Sequence, residues 1–414
     1  MTMPAIDFAR LRADVEALSA IGRHEDRGIH RMAFSDGDLA ARHWFRERTE
    51  AAGLDYFEDG AGNLFGRLGW DGERPSVMIG SHLDTVPGGG PLDGALGVLV
   101  GLECLRALRE SGIALRYPLE VVAFTDEEGR FGGLFGSQAL AGQLTPAMIH
   151  GARDLDGVTL TQAMAAWGLD AQAALFARRS PESLHAFLEL HIEQGPVLHR
   201  GGHQVGVVEA ITGLFKWDVH LIGETNHAGT TPMSMRRDAF QGLCEFAGEI
   251  DRILEEHGGP QSRATIGRVE LSPGAANTVP GRAAFSLDVR DTDAHTLSAL
   301  ADAFRRTLSA LARRRDLMFE FNVLSEIAPV RCDPGLVQLI ADGAEQLGMR
   351  ALKLPSGAAH DAQIMAGITR TGMIFVPSIE GRSHSSAEWT AWEDIERGAT
   401  LALHTLIRLA TSEA

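Results

Sequence analysis

Four short apolar runs constrain this chain more than any other feature. They are Ser76 to Gly80 (SVMIG), Leu119 to Thr125 (LEVVAFT), Phe187 to Ile192 and Met373 to Val376 (MIFV). Runs of this length with little polar alternation are strands covered on both faces. The first leads through a glycine-rich turn into a helical pattern that begins near Leu96, LGVLVGLECLRAL. Buried strands separated by helices predict an α/β domain with a mostly parallel sheet flanked by helices. Ligands of such sheets bind beyond the carboxyl ends of the strands. His82, Glu127, Glu128 and His191 fall at or just past those ends, and His384 follows the fourth run by a short loop.

A different rhythm occupies Leu214 to Leu324. Phe215, Trp217, Val219 and Leu221 alternate with more polar residues, as on a half-buried strand. A helical stretch from Asp238 to His257, the strand-like ATIGRVEL and AAFSLDVR, a second helix over roughly His295 to Arg315, and MFEFNVL follow. Strand-helix-strand-strand-helix-strand is the ferredoxin-like order. The expected organisation is a discontinuous domain, 1–213 and 329–414, with an α+β ferredoxin-like domain inserted at 214–328.

Bulk properties narrow the function. A chain of 414 residues exceeds one small core, so two domains are the default. With 44% hydrophobic and 22% charged residues the composition is that of a soluble globular protein. The net charge of -17 argues against nucleic acid or an anionic membrane as partner. Cys104, Cys244 and Cys332 are widely separated and form neither a disulfide framework nor a zinc knuckle. The opening MTMPAIDFARLRADVEAL reads as an amphipathic helix rather than a signal peptide. No apolar stretch reaches the ~20 residues of a membrane span. A cytoplasmic protein is expected.

His82, Asp93, Glu127, Glu128, His191 and His384 offer five metal ligands and one spare carboxylate. Imidazoles and carboxylates suit a pair of divalent cations, which Asp93 can bridge. Asp93 sits in GGGPLDG, where a turn or helix-capping aspartate is the local alternative. Glu127 and Glu128 are adjacent, so their side chains point apart; one can bind metal while the other takes a proton. The alternative is a solvated acidic turn. Asp84 can orient the second nitrogen of His82 or cap the following turn. HIEQG, around His191, does not match the helical H-E-x-x-H zinc pattern. His384 lies in a Ser-rich loop where a surface histidine is equally ordinary. Arg290, ending AAFSLDVR, suits either a surface salt bridge or a bidentate grip on a substrate carboxylate. No G-x-S-x-G elbow and no cysteine motif supplies a nucleophile, which leaves metal-activated water as the attacker.

GSHLDTVPGGGPLDG, FTDEEG, HIEQGPVL, NHAGTTPM, ANTVPGR, LDVRD, SGAAHDAQ and VPSIEGRSHSSAEW, in this order and spacing, span essentially the whole chain. Together they resemble the amidase, hydantoinase/carbamoylase branch of the M20 metallopeptidase-like enzymes. That branch includes N-carbamoyl-L-amino acid hydrolases, β-ureidopropionases and allantoate amidohydrolases. The resemblance implies that His82, Asp93 and His191 hold one metal, that Asp93, Glu128 and His384 hold the other, and that Glu127 is the base. It assigns Gln194, His227, Asn277, Arg290, Gly357 and Ala358 to substrate. It also implies that the inserted domain is a lid and dimerisation domain, with His227 reaching the partner's site in a homodimer. Locally, His227 reads as a turn histidine held by its Asn and Thr neighbours. One departure is Ala359 in SGAAHDA, where many relatives carry glycine, beside His360.

The expected activity is hydrolysis of the ureido C–N bond of an N-carbamoyl-L-amino acid or related ureido acid, with Asp84, Glu127 and His227 as the catalytic set. Two divalent ions per subunit are expected, zinc first, with manganese, cobalt or nickel also suited. The alternatives are an allantoate amidohydrolase, an M20-type dipeptidase or N-acyl amino acid hydrolase, and an inactive amino-acid-binding protein.

Overall fold

A computed structural model describes residues 4–411. The chain divides into two compact units, one formed up to Glu209 and again from Cys332 onward, the other by Ala210–Arg331.

The first unit is built on a nine-stranded sheet. At its centre lie β1 (Ser76–His82), β2 (Leu119–Phe124), β3 (Leu184–Ile192) and β4 (Thr371–Val376), in the order β2-β1-β3-β4 and all parallel. Every residue of β1, β2 and β4 is buried, which is why their sequences read as unbroken apolar runs. The sheet is mixed rather than parallel throughout. Leu64–Leu68 pairs antiparallel with β2, and Val205–Ile211 pairs antiparallel with β4.

Helix α1 (Ala95–Ser111) packs on this sheet through small residues. A Cβ on Gly97 would overlap the carbonyl oxygen of Leu190 in β3, and one on Gly398, in the Trp392–Thr411 helix, would overlap Val376 in β4. Successive strand residues face opposite ways. Leu190 meets α1, while Glu189 accepts from the amide of Ala362, at the start of the short Asp361–Met365 helix, at 2.8 Å.

The second unit holds a separate antiparallel sheet in the order Val269–Ser272, Arg282–Asp291, Gly213–Ile222, Met318–Ile327. Its core joins Trp217, Val219 and Leu221 to Phe246, Phe285, Phe304 and Leu308. Two details depart from the sequence expectation. ATIGRVEL is two short strands, Arg263–Thr265 and Val269–Ser272, that meet the same neighbour on either side of Gly267, where a residue without a side chain weakens a strand. The helical stretch after Asp238 is two helices, Ala239–Gly248 and Ile250–His257.

Because α1 approaches β3 over a bare Cα, Gly97→Ala should destabilise the fold by about 1–3 kcal/mol through overpacking. The denaturant midpoint checks this; an unchanged midpoint would mean that the helix can shift without loss.

Candidate metal centre

His82 is the last residue of β1 and is 2% exposed. Its Nδ1 lies 2.9 Å from the Asp84 carbonyl oxygen, and the Nδ1 of His191, near the end of β3, lies 2.9 Å from the carbonyl oxygen of Ile192. A ring held through Nδ1 by a carbonyl turns Nε2 inward, the nitrogen that binds a metal once it carries no proton. Both Nε2 atoms face Oδ1 of Asp93, at 3.7 and 3.2 Å. Oδ2 of Asp93 is 3.5 Å from Nε2 of His384, which is also 3.5 Å from Oε2 of Glu128. Asp93 thus gives one oxygen to each of two donor groups, His82–Asp93–His191 and Asp93–Glu128–His384. In each group the ligand atoms lie within 4.8 Å of one another.

Asp93 is not a helix cap. Gly94 is the N-cap residue of α1, with no side-chain cap, so the carboxylate is free to point inward. Gly94 has φ 61°, and an added Cβ would overlap the His82 ring; conformation and contact both require glycine. The amides of Leu92 and Asp93 donate to Oε1 of Glu388 at 2.9 and 3.0 Å. Ser383 Oγ lies 2.7 Å from Oδ2 of Asp93 and 3.1 Å from Oε2 of Glu388, so its proton serves one or the other. Gln194 Nε2 donates to the same Asp93 oxygen at 2.7 Å. Sequence reasoning missed Glu388 and Ser383 as supports of Asp93. Their only signal was their place in VPSIEGRSHSSAEW.

Asp84 divides its work differently from the expectation. Its carbonyl, not its carboxylate, holds His82, and the carboxylate accepts from the amides of Glu127 and Glu128 at 3.4 and 3.2 Å. The acidic loop is therefore set by Asp84. Non-glycine residues with positive φ surround the centre: Asp126 (54°), Gln194 (59°) and His384 (52°). Such strain persists only where the surroundings enforce it.

Glu127 is 10% exposed, with Oε2 3.5 Å from Nε2 of His82. Burial and neighbouring carboxylates, Glu128 first, push the Glu127 carboxyl well above the usual range. Burial, then Asp93 and Asp84, do the same to Glu128. Burial alone would raise Asp93 too, but the charge and hydrogen bond of His191 hold it well below. Burial takes His82 down to about 4; for His191 Asp93 outweighs burial and lifts it to about 9. Oε1 of Glu128 is buried without a hydrogen-bond partner. Crowded acids, inward-facing imidazole nitrogens and an unsatisfied carboxylate oxygen fit divalent cations that accept mixed nitrogen and oxygen ligands.

Comparison with known proteins agrees. The model of "Peptidase family M20/M25/M40" matches residues 78–408. The chain belongs to that family. It is 40% identical to the N-carbamoyl-L-amino acid amidohydrolase of Geobacillus stearothermophilus over 99% of this chain and 100% of that one. It is 38% identical to the allantoate amidohydrolase of Escherichia coli over 93% and 94%. A solved hydantoinase/carbamoylase family amidase from Burkholderia multivorans superposes with a TM-score of 0.91, at 34% identity over 99% and 100%. Within the M20 family the chain therefore lies beside the hydantoinase/carbamoylase amidases.

The remaining expected site residues of this M20 chain fall in several places. Gly357 and Ala358 follow the Ala351–Ser356 strand in a turn organised by Ser356, whose Oγ accepts from the Ala358 amide at 3.1 Å and meets Nε2 of His360 at 2.8 Å. The buried His360 ring packs edge-on against His191, with centroids 4.5 Å apart. His227, Asn277 and Arg290 belong to the second unit. His227 and Asn277 are neighbours there: the amide of Ala228 donates to the Asn277 carbonyl at 2.9 Å, and Thr278 pairs with His227. Arg290 reaches both carboxylate oxygens of Asp288, at 2.9 and 3.2 Å, along its own strand.

Glu388→Ala strands the Leu92 and Asp93 amides and should weaken metal retention about 10–100-fold, the usual scale for partners that hold a ligand. Glu388→Gln, which keeps an acceptor, should recover part of it. Metal content after graded chelator treatment checks this, and equal retention in all three proteins would exclude the role.

Proposed function

We propose that this chain hydrolyses the ureido C–N bond of an N-carbamoyl-L-amino acid or a related ureido acid, releasing the amine, carbon dioxide and ammonia. The observation that carries the reading is Glu127, a buried carboxylate beside two complete donor sets yet outside both of them. Two divalent ions per subunit, zinc first, would be held by His82, Asp93 and His191 and by Asp93, Glu128 and His384. When bound, such ions acidify water and polarise a carbonyl oxygen.

Glu127 takes a proton from the attacking water as its oxygen adds to the carbamoyl carbon. It returns that proton to the amino-acid nitrogen as the C–N bond breaks. The carbamate released then falls to carbon dioxide and ammonia. His227 donates to the oxyanion: its Nδ1 accepts from the amides of Gly229 and Thr230 at 3.1 and 3.3 Å, which leaves the proton of the neutral ring on Nε2. Arg290 is the grip on the substrate carboxylate, and Gln194, Asn277, Gly357 and Ala358 are further substrate-binding residues. Allantoate is the second reading, favoured by the similarity to the Escherichia coli enzyme of that name.

The second unit serves as a ferredoxin-like lid and pairs with a second copy. Register supports this. Arg282 stands opposite Ile222, just before the His227 turn, and Arg290 stands opposite Leu214. Those ends of one sheet are roughly 27 Å apart at the antiparallel rise. A small ureido acid is much shorter than that, which favours His227 and Arg290 reaching one substrate from different subunits.

Glu127→Gln should keep near-normal metal content and lose at least ~10²-fold in turnover on N-carbamoyl amino acids. Loss of metal instead would make Glu127 a ligand. A panel of N-carbamoyl amino acids, allantoate and dipeptides reads the substrate class. Exchanging subunits between inactive His227→Ala and Glu127→Gln proteins should restore activity in mixed dimers; proven exchange without recovery would return His227 to its own subunit.

A further inference from the structure

We propose a second, separate site for a divalent transition-metal ion on the loop that carries His24, Asp26 and His30. One ligand atom from each lies within 4.8 Å of the others. Oδ2 of Asp26 is 2.8 Å from Nε2 of His30, and the rings of His24 and His30 have centroids 5.1 Å apart. None of the three belongs to the donor sets around Asp93.

The loop is shaped to keep them together. Arg23 and Ile29 form a bridge across it, the amide of Arg27 donates to the His24 carbonyl at 3.0 Å, and Arg27 takes φ 66° to complete the reversal. Oδ1 of Asp26 is occupied by the amide of Gly28 at 2.8 Å, which fixes the carboxylate and leaves Oδ2 for a ligand. The loop is pinned from outside as well. Ile29 and Gly89 exchange both backbone hydrogen bonds, at 2.9 and 3.1 Å. A Cβ on Gly88 would lie 3.7 Å from Oδ2 of Asp26 and 3.9 Å from Nε2 of His30, so the two ligand atoms stand over a residue without a side chain.

Two imidazoles and one carboxylate, with water completing the shell, suit zinc, cobalt, nickel or copper(II) rather than calcium or magnesium, which take oxygen ligands. The Asp26–His30 pair by itself is an exposed contact of small worth and gives no role to His24. Metal binding uses all three. An ion here would brace the 24–30 loop, which Ile29 already pairs to Gly89.

The test is zinc stoichiometry by elemental analysis after equilibrium dialysis of the full-length protein. Wild type should hold one zinc equivalent more per chain than His24→Ala/His30→Ala, with turnover unchanged. His24→Gln leaves the Asp26–His30 contact in place and should also lose that equivalent, which separates metal binding from damage to the loop. A His82→Ala/His384→Ala protein should retain it, which keeps the result independent of the centre at Asp93. Melting temperatures verify that each variant is folded. Equal zinc content in wild type and His24→Gln, with both folded, would overturn the proposal.

Discussion

The carboxylate of Asp93 is where the structure meets. Oδ1 faces the ends of β1 and β3 through His82 and His191, while Oδ2 faces the loop after β4 through Ser383 and His384 and also receives Gln194. Its own amide is held by Glu388. Around it stand Glu127, Glu128 and Asp84, all with carboxyl groups raised by burial and by nearby carboxylates: Glu128 for Glu127, Asp93 for Glu128 and Asp38 for Asp84. Two carboxylates about 4 Å apart repel by roughly 4 kcal/mol at an effective dielectric of 20. A fold that gathers several of them about one aspartate has set aside the place of the cations that would balance them.

The parallel centre of the sheet makes that gathering possible. Strands running the same way deliver their last residues to one edge, so His82 and His191 converge although more than a hundred residues separate them. Close approach then depends on small residues. Gly97 lets α1 lie on β3, and Gly94 lets the chain pass the His82 ring just after Asp93 has been delivered. The pairing of Ile29 with Gly89 extends the same loop toward the His24–Asp26–His30 cluster.

The second unit contributes by the length of its strands. His227 and Asn277 lie at a small two-stranded ladder reached from one end of the antiparallel sheet, where Ile222 pairs with Arg282, and Arg290 lies at the sheet's other end. The sheet holds the Ile222–Arg282 pair and the Leu214–Arg290 pair apart by nearly the full length of two strands.

Much of this was legible in the residues because the relevant signals are local. Strands buried on both faces must be apolar throughout, so β1 to β4 announced themselves, and the histidines and acids beyond them followed by position. The alternation from Phe215 to Leu221 marked a sheet with one buried face for the same reason. Three things were decided only by tertiary structure. Glu388 supports Asp93 across 295 residues of sequence, and no local pattern reports such a contact. Asp84 uses its carbonyl for His82 and its carboxylate for the acidic loop, a division set by backbone direction rather than residue type. Whether Asp93 capped a helix or faced the candidate donor groups depended on where α1 began, and that turned on a left-handed Gly94 pressed against an imidazole from another strand. Composition and periodicity specify which elements form and which faces are buried; the orientation of a polar side chain within the site depends on partners brought close by the fold.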